Sequence, residues 1–130
     1  MRDEVALITG GARGIGKAIA LRFAQEGYKV AVCDLASKCD DVVQKIKDKG
    51  GQALGLSCDI TDPLMVKEMI DQIIAAFGRL DVLVNNAGIA QDNLLPRISD
   101  EEWLQTINTN LTGTFYCTRA AIRPMLKQKK

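Results

Sequence analysis

The chain has 130 residues, a formal net charge of +1 and 47% hydrophobic residues, which is typical of one soluble globular domain with its own core. The small net charge and the lack of a charged block exclude nucleic acid and membrane surfaces as main partners, and no apolar run is long enough to span a membrane. With four scattered cysteines and no histidine, we expect no metal site and reduced thiols in a cytoplasmic protein.

Short apolar runs alternate with helical patterns along the chain. The first run, Val5–Thr9, predicts a strand, and a stripe with steps of three and four predicts a helix after it: Ile15, Ala18, Ile19, Phe23. Residues 29–33 predict a second strand, which is followed by a shorter helical stripe: Val42, Val43, Ile46. Both strands are apolar on both faces, as expected for a parallel sheet that is covered on its two sides.

The third strand is predicted at residues 52–58 and the fourth at residues 80–85. The clearest helix lies between them, with a long stripe: Val66, Met69, Ile70, Ile73, Ile74, Phe77. Asp62 has the position of its N-cap, Pro63 lies in its first turn, and Gly78 follows its end. Further on, Ser99 and Glu102 have the spacing of a capping box, and residues 108–130 predict a long helix.

Strands that are separated by helices of this length predict an α/β fold. We expect the N-terminal part of a doubly wound Rossmann-type parallel sheet, of strand order 3-2-1-4, with helices on both faces. The chain shows no internal repeat or linker, so residues 1–130 are expected to form a single dinucleotide-binding domain. Because the pattern after the last helix calls for another strand, we expect this domain to be truncated at the C-terminus.

A glycine-rich loop follows the first strand, in the stretch "TGGARGIG" of residues 9–16. Three interpretations compete: a tight turn, the P-loop of a phosphotransferase, and the first turn of a dinucleotide site. A turn needs only one glycine, and the P-loop pattern fails at Ala18, where a hydroxyl should hold Mg²⁺. Although the spacing is not G-x-G-x-x-G, a loop between strand and helix is suited to bind phosphate, so we favour the dinucleotide.

Polar residues at three further strand ends support this interpretation. Asp34 ends the second strand, where a carboxylate can bind ribose hydroxyls or simply cap a turn. Asp59 ends the third strand and could accept from the adenine amino group, while residues 85–88, "NNAG", end the fourth. Ligands of open α/β sheets bind at this carboxyl edge, so we expect all four loops to face one ligand.

The motifs "TGGARGIG", "CDI", "NNAG" and "NTNLTG", in this order, resemble those of the short-chain dehydrogenase/reductase family along the whole chain. Within the family, the stretch after "NNAG" is most similar to that of the 3-oxoacyl-[acyl-carrier-protein] reductases. The resemblance implies a nicotinamide dinucleotide cofactor, a carbonyl or acyl-carrier-protein-linked substrate, and a homodimer or homotetramer. The helix that begins near Asn110 would form the subunit contact, with Ile122, Met125 and Leu126 either in that contact or covering their own sheet.

The resemblance also implies roles for individual residues. The cofactor phosphates and the adjoining ribose would be wrapped by Gly10, Gly11, Ala12, Arg13, Gly14, Ile15 and Gly16. Asp34 and Leu35 would belong to the cofactor site, Asp59 and Ile60 would flank adenine, and the nicotinamide ribose would contact Asn86, Ala87 and Gly88. Asn110 is the catalytic candidate, because the family's asparagine helps to hold a water in the proton relay; alternatively it only kinks its helix.

The charges near the second strand bear on the choice of cofactor. A carboxylate at Asp34 binds ribose hydroxyls but repels the 2′-phosphate of NADP, so we expect NAD. Arg13 favours NADP instead, and Lys38 could assist it. The 3-oxoacyl-[acyl-carrier-protein] reductases usually use NADPH, so Asp34 departs from their pattern.

The family's chemistry needs a serine and a Tyr-x-x-x-Lys pair, which exchanges a proton with the substrate while hydride moves. Tyr28 and Tyr116 are followed four residues later by Val32 and Ala120. We therefore expect the parent protein to be an oxidoreductase, and these 130 residues to bind the cofactor without turnover. The alternative is a non-catalytic dinucleotide-binding module, or a fragment that another chain completes.

Overall fold

The computed structural model describes residues 2–35, 39–88 and 94–128. Four parallel strands form one sheet of order β3-β2-β1-β4, which confirms the predicted order. Their bounds are β1 Val5–Thr9, β2 Lys29–Asp34, β3 Ala53–Ser57 and β4 Val82–Val84. All five residues of β1 and the middle four of β2 are buried, because both strands are central and covered on two faces. The edge strands β3 and β4 are more exposed.

Five α-helices surround the sheet in the described residues: α1 Gly14–Gln25, α2 Asp40–Asp48, α3 Pro63–Phe77, α4 Asp100–Ile107 and α5 Gly113–Gln128. α1 and α2 bury Ala20, Val42 and Ile46 in a cluster on one face of the sheet. α3 and α5 bury their apolar residues in a second cluster on the other face: Val66, Met69, Ile70, Ile73, Cys117, Ala121. The predicted arrangement of helices on both faces is therefore confirmed.

The predicted caps of α3 and α4 are confirmed. Asp62 Oδ1 accepts from Leu64 N at 3.0 Å and from Met65 N at 3.4 Å, which satisfies amides that the helix leaves free. Ser99 Oγ accepts from Glu102 N at 3.1 Å and donates to Glu102 Oε1 at 3.3 Å. α3 and α4 therefore each begin directly after a cap that the sequence predicts.

The stripe predicted for α1 is wrong at two positions. Ile15 is 74% exposed and Ala18 is also exposed, whereas Gly16 and Ala20 are the buried residues of this helix. The cause is the close approach of α1 to the glycine loop, which places Gly16 inward and turns Ile15 and Ala18 toward solvent. A pattern of apolar residues cannot show that a glycine marks the buried face.

The helix predicted to begin at residue 108 begins earlier. Helical structure runs without a break from Asp100 to Gln128, with a π-helical segment, Asn108–Thr112, between α4 and α5. No helix-breaking residue separates the capping box from residue 108, so the backbone stays helical. Of the three apolar residues assigned to a subunit contact or to the chain's own sheet, Met125 packs against the core, while Ile122 and Leu126 are 47% and 70% exposed.

The four cysteines are free thiols and all are buried, as the sequence predicts. Within the described ranges, no group of three or more potential ligands is placed to hold a metal ion. A search of the same ranges also finds no helix with the length and apolar character needed to cross a membrane.

Candidate functional site

The glycine loop leads from the end of β1 into α1. Gly10 and Gly14 have φ of 65° and 59°, values that favour glycine. Arg13 is extended directly before α1, and its side chain does not cap the helix. The first amides of α1 are therefore left without a side-chain cap at a helix N-terminus, an arrangement that suits a bound phosphate.

The loop fits tightly against the segment that follows β4. Asn86 Nδ2 donates to Gly10 O at 3.1 Å, and a methyl group on Gly10 would lie 2.9 Å from Ala87 Cα. A methyl group on Gly16 would collide with Gly10 O and Asn86 Nδ2. The glycine loop and the "NNAG" segment are thus one packed unit, and side chains at Gly10 and Gly16 would separate them.

Thr9 holds this unit together, a role that its sequence position alone does not predict. Its side chain is buried, and Oγ1 accepts from Asn86 N at 3.0 Å and from Ala87 N at 2.9 Å. The same hydroxyl donates to Val84 O at 3.4 Å. The available signal was a single hydroxyl residue at the end of an apolar strand, directly before the glycines.

Asp34, at the end of β2, is bound to the glycine loop. Its Oδ2 accepts from Ala12 N at 3.2 Å and its Oδ1 accepts from Leu35 N at 2.8 Å. Each carboxylate oxygen has a second lone pair, so the group can still accept from ligand hydroxyls. Leu35 is 65% exposed beside it. The sequence-predicted neighbours Asp34 and Ala12 are therefore brought together.

Asp59 and Ile60, predicted to flank adenine, bond within their own part of the sheet edge. Asp59 Oδ1 accepts from Thr61 N at 3.0 Å and from Thr61 Oγ1 at 2.7 Å. Ile60 is only 6% exposed, and a methyl group on Gly113 would lie 2.6 Å from Ile60 Cδ1. The Ile60 side chain therefore belongs to the core, and the role of both residues beside adenine stays a prediction.

Asn110 lies in the π-helical segment and faces the "NNAG" loop. A methyl group on Gly88 would lie 3.0 Å from Asn110 Oδ1. The π-helical turn therefore places the Asn110 side-chain amide at the edge of the sheet where the glycine loop also lies. π-Helical turns often occur at functional sites.

Lys17 comes directly before Ala18, the residue at which the P-loop pattern fails. Its side chain binds α2. Its Nζ lies 2.8 Å from Asp41 Oδ2 on α2, and Lys45 Nζ lies 3.4 Å from the same oxygen. The hydrogen bond to Asp41 raises the pKa of Lys17, and the bond from Lys17 lowers the pKa of Asp41. A lysine paired with a neighbouring helix is not placed like the phosphate-binding lysine of a P-loop.

The similarity of the chain to known protein families identifies its family. The family model described as short chain dehydrogenase matches residues 4–130. The chain belongs to the short chain dehydrogenase family. The predicted resemblance is confirmed, and the β3-β2-β1-β4 sheet is consistent with the N-terminal half of the Rossmann fold of such dehydrogenases.

Individual relatives in the family point to the same subfamily as the motifs. The chain is 48% identical over 126 residues to a 3-oxoacyl-[acyl-carrier-protein] reductase of Staphylococcus aureus strain Mu50, covering 95% of this chain and 51% of that protein. It is 45% identical over 128 residues to the protein of the same name from Synechocystis, covering 97% of this chain and 52% of that one.

A relative with a different substrate in its name is almost as similar. The (2S)-[(R)-hydroxy(phenyl)methyl]succinyl-CoA dehydrogenase subunit of Thauera aromatica is 44% identical over 130 residues, covering 99% of this chain and 52% of that subunit. The chain thus spans about half the length of each of these relatives.

Proposed function

We propose that the protein containing this chain is an NAD(P)-dependent oxidoreductase that transfers hydride between nicotinamide and a carbonyl or alcohol. The observation that carries the proposal is the convergence of the glycine loop, Asp34, the "NNAG" segment and Asn110 at one edge of the sheet. The names of the relatives favour a 3-oxoacyl-[acyl-carrier-protein] reductase, and hence fatty acid biosynthesis. The bound nicotinamide would supply or accept the hydride.

In this proposal, the chain's own residues bind and orient the dinucleotide. The main chain of residues 10–16 and the start of α1 hold the diphosphate, since their amides are not capped by a side chain. Asp34 and Leu35 lie at the adenosine ribose, Asp59 and Ile60 beside adenine, and residues 86–88 at the nicotinamide ribose. Asn110 holds a water at its side-chain amide, close to Gly88.

We propose NAD rather than NADP as the preferred cofactor. Two main-chain amides fix the Asp34 carboxylate at the loop, where it would accept from ribose hydroxyls and repel a 2′-phosphate. Arg13 is exposed in the same loop and acts in the opposite sense, while Lys38 lies outside the described residues.

Fluorescence titration tests both the site and the preference for NAD. NADH is expected to bind at least about tenfold more tightly than NADPH, and Asp34→Ser is expected to remove most of this difference, because it deletes the charge. The matched control is Asp40→Ser at the start of α2, which also removes one carboxylate. Saturable binding of ATP but not of NADH would contradict the proposal and restore the P-loop interpretation.

We further propose that these 130 residues form one dinucleotide-binding domain, part of a longer catalytic domain, and do not turn over alone. The support is chemical, since neither tyrosine has a lysine four residues later. The alternative is a dinucleotide-binding module without catalysis, or a fragment that another chain completes. The test is to incubate the isolated 130-residue chain with NADH and a 3-oxoacyl thioester. Catalysed oxidation of NADH would contradict the expectation of no turnover.

A homodimer or homotetramer in the cytoplasm completes the proposal. Large apolar side chains are exposed along one continuous helical run: Trp103, Leu104, Leu111, Phe115, Ile122, Leu126. An exposed apolar surface of this kind favours subunit contact, and the free, buried thiols suit a reducing compartment. Light scattering of the purified protein measures its mass in solution and tests this proposal. A mass equal to that of a monomer at all concentrations would exclude a homodimer and a homotetramer.

A further inference from the structure

A groove of about 650 Å³ runs between α3 and α5, on the face of the sheet opposite to α1 and α2. Its floor is apolar and is formed by Ile70, Ile74, Tyr116, Ala120 and Pro124. It extends from Pro63 to Ile74 along α3, about 16 Å at the rise of an α-helix. Its volume lies within the range of small-molecule sites.

The rim of the groove is strongly cationic. Four basic side chains line it, Lys67, Arg119, Arg123 and Lys127, against the single carboxylate of Asp71. That carboxylate is already taken, because Lys67 Nζ lies 3.1 Å from Asp71 Oδ2. Among the described residues, the other three cations have no carboxylate within 4.0 Å. The groove therefore has a local excess of three positive charges in a chain whose net charge is +1.

Aromatic contacts hold one of these cations at the groove. The Arg119 guanidinium carbon lies 4.9 Å from the Phe115 ring centroid and 5.3 Å from that of Tyr116. Such stacking orients the guanidinium while its N–H groups remain able to donate. An apolar floor beside an oriented cation without a carboxylate partner is complementary to a ligand with an apolar body and an anionic end.

We propose that this groove binds a free, single-chain anionic amphiphile, with its alkyl chain along the floor and its carboxylate, phosphate or sulfate head at Arg119 and Arg123. A second copy of the chain suits this groove less well than it suits the exposed apolar residues Ile122 and Leu126 of α5, since a two-fold contact across the groove would bring the same cationic rims together. No residue of the groove belongs to the proposed dinucleotide site, so the two proposals are independent of each other.

Isothermal titration of the purified protein with dodecanoate, kept below its micelle concentration, tests the proposal. We expect saturable binding of one molecule per chain. Dodecyltrimethylammonium and dodecyl maltoside, which carry the same alkyl chain with a cationic or a neutral head, should bind at least about tenfold more weakly. Octanoate should also bind more weakly than dodecanoate, because it buries less apolar surface.

Matched variants locate the site. Arg119→Gln with Arg123→Gln should weaken dodecanoate binding at least about tenfold. The control is Arg22→Gln with Lys49→Gln, which removes the same charge from a groove between α1 and α2 on the opposite face and should change the affinity less than about twofold. Binding of NADH should be the same in both variants.

Four outcomes would overturn the proposal. The cationic chain could bind as tightly as dodecanoate, or the Arg119/Arg123 variant could keep full affinity. The protein could bind anionic lipid vesicles but no free amphiphile, which would assign the surface to a membrane. Finally, the variant could lower the mass seen by light scattering while neither protein binds dodecanoate, which would assign the surface to a second copy.

Discussion

At the residue scale, the Thr9 hydroxyl binds the "NNAG" segment beside the glycine loop. It is a buried polar group that accepts two main-chain N–H groups of the "NNAG" segment. Those amides come directly after an edge strand, where no neighbouring strand in the described residues bonds them. The Thr9 oxygen therefore holds the main chain of Asn86 and Ala87 beside the glycine loop, together with the bond from Asn86 Nδ2 to Gly10 O.

Thr9→Val is expected to lower the free energy of unfolding by about 1–3 kcal/mol at nearly constant volume, because it leaves Ala87 N without its acceptor and Asn86 N with Val84 O alone. Urea denaturation of the variant and the parent measures the difference. Thr9→Ser keeps the hydroxyl and is the control, with an expected loss of about 1 kcal/mol from the missing methyl group. Equal losses for Val and Ser would contradict a role for the hydrogen bonds.

Burial makes stability depend on pH through Cys58. Desolvation, with a smaller effect of Asp59 and Asp62, raises the pKa of this thiol from 9.0 to about 11. Between these values the thiol ionises in the unfolded chain but not in the folded one, so the folded state binds more protons. Its contribution to stability is thus complete below pH 9 and falls by about 1.4 kcal/mol per pH unit above it.

Cys58→Ala is therefore expected to make the free energy of unfolding less sensitive to pH by this amount between about pH 9 and 11. Urea denaturation at several pH values, with reductant present, measures the slope. The variant loses a contact as well, but that loss shifts the curve without changing its slope. Parent and variant curves that stay parallel above pH 9 would contradict the assignment.

At the scale of elements, the most consequential contact is the approach of α1 to the two loops at the sheet edge. Gly16 brings the first turn of α1 against Gly10 O and the Asn86 side chain. Gly10 directly follows β1 and accepts from Asn86 Nδ2, and Asn86 N is bound to Thr9, so neither can easily move away. This approach sets the distance between the uncapped helix start and the rest of the site.

Gly16→Ala is expected to lower the free energy of unfolding by about 3 kcal/mol, since overpacking against main-chain atoms is poorly relieved. Gly14→Ala is the control: a methyl group there meets nothing within 4 Å, so its cost is the left-handed backbone alone, about 1 kcal/mol. Thermal and urea denaturation compare the two. A larger loss for Gly14→Ala than for Gly16→Ala would show that backbone strain, not contact, governs the loop.

Elements with a regular apolar period could be predicted from the sequence, and those set by close contacts could not. The stripe of α3 and its cap at Asp62 follow from local chemistry, and the structure has them as predicted. The buried face of α1 could not be predicted, because its residue in contact with Gly10 and Asn86 is Gly16, which has no side chain. The π-helical segment at residues 108–112 gives no signal either, since one extra residue in a turn changes no residue type.

At the scale of the whole molecule, Gln128 joins α5 to the segment that enters β4. Gln128 Nε2 donates to Leu80 O at 2.8 Å and to Asp81 Oδ1 at 3.3 Å, and Leu80 N donates to Gln128 Oε1 at 2.9 Å. Asp81 in turn accepts from Val5 N at 2.8 Å and binds Arg79. The end of α5, the entry to β4 and the start of β1 thus form one polar network.

Gln128→Glu is expected to lower the free energy of unfolding by about 2–4 kcal/mol, because it replaces a donor with a carboxylate beside Leu80 O and Asp81. The matched control is Gln25→Glu, the same change at an exposed position of α1, which should stay within about 0.5 kcal/mol. Hydrogen exchange of the Leu80 amide would report the loosened end of α5. An unchanged exchange rate of the Leu80 amide would show that the network is not needed to hold the end of α5.

The sheet order could be predicted because alternating strands and helices allow few topologies. The site could be predicted only as a region: Asp34, the glycines and "NNAG" each end or follow a strand, and parallel strands bring such residues to one edge. The partners of these residues could not be predicted. That Asp34 binds Ala12 N, or that Asn110 faces Gly88, depends on distances that only the packed chain defines.

The π-helical segment has a consequence for how this chain can change over generations. Rewinding residues 108–112 as an ordinary helix of unchanged length would rotate everything downstream by about 100°. Cys117 and Ala121 would then turn away from the core they now fill, and Asn110 would leave Gly88. The wide turn can therefore be lost together with its one extra residue, which leaves the downstream residues on the same face, but substitutions that only rewound it would require a new buried surface along four turns of helix at once.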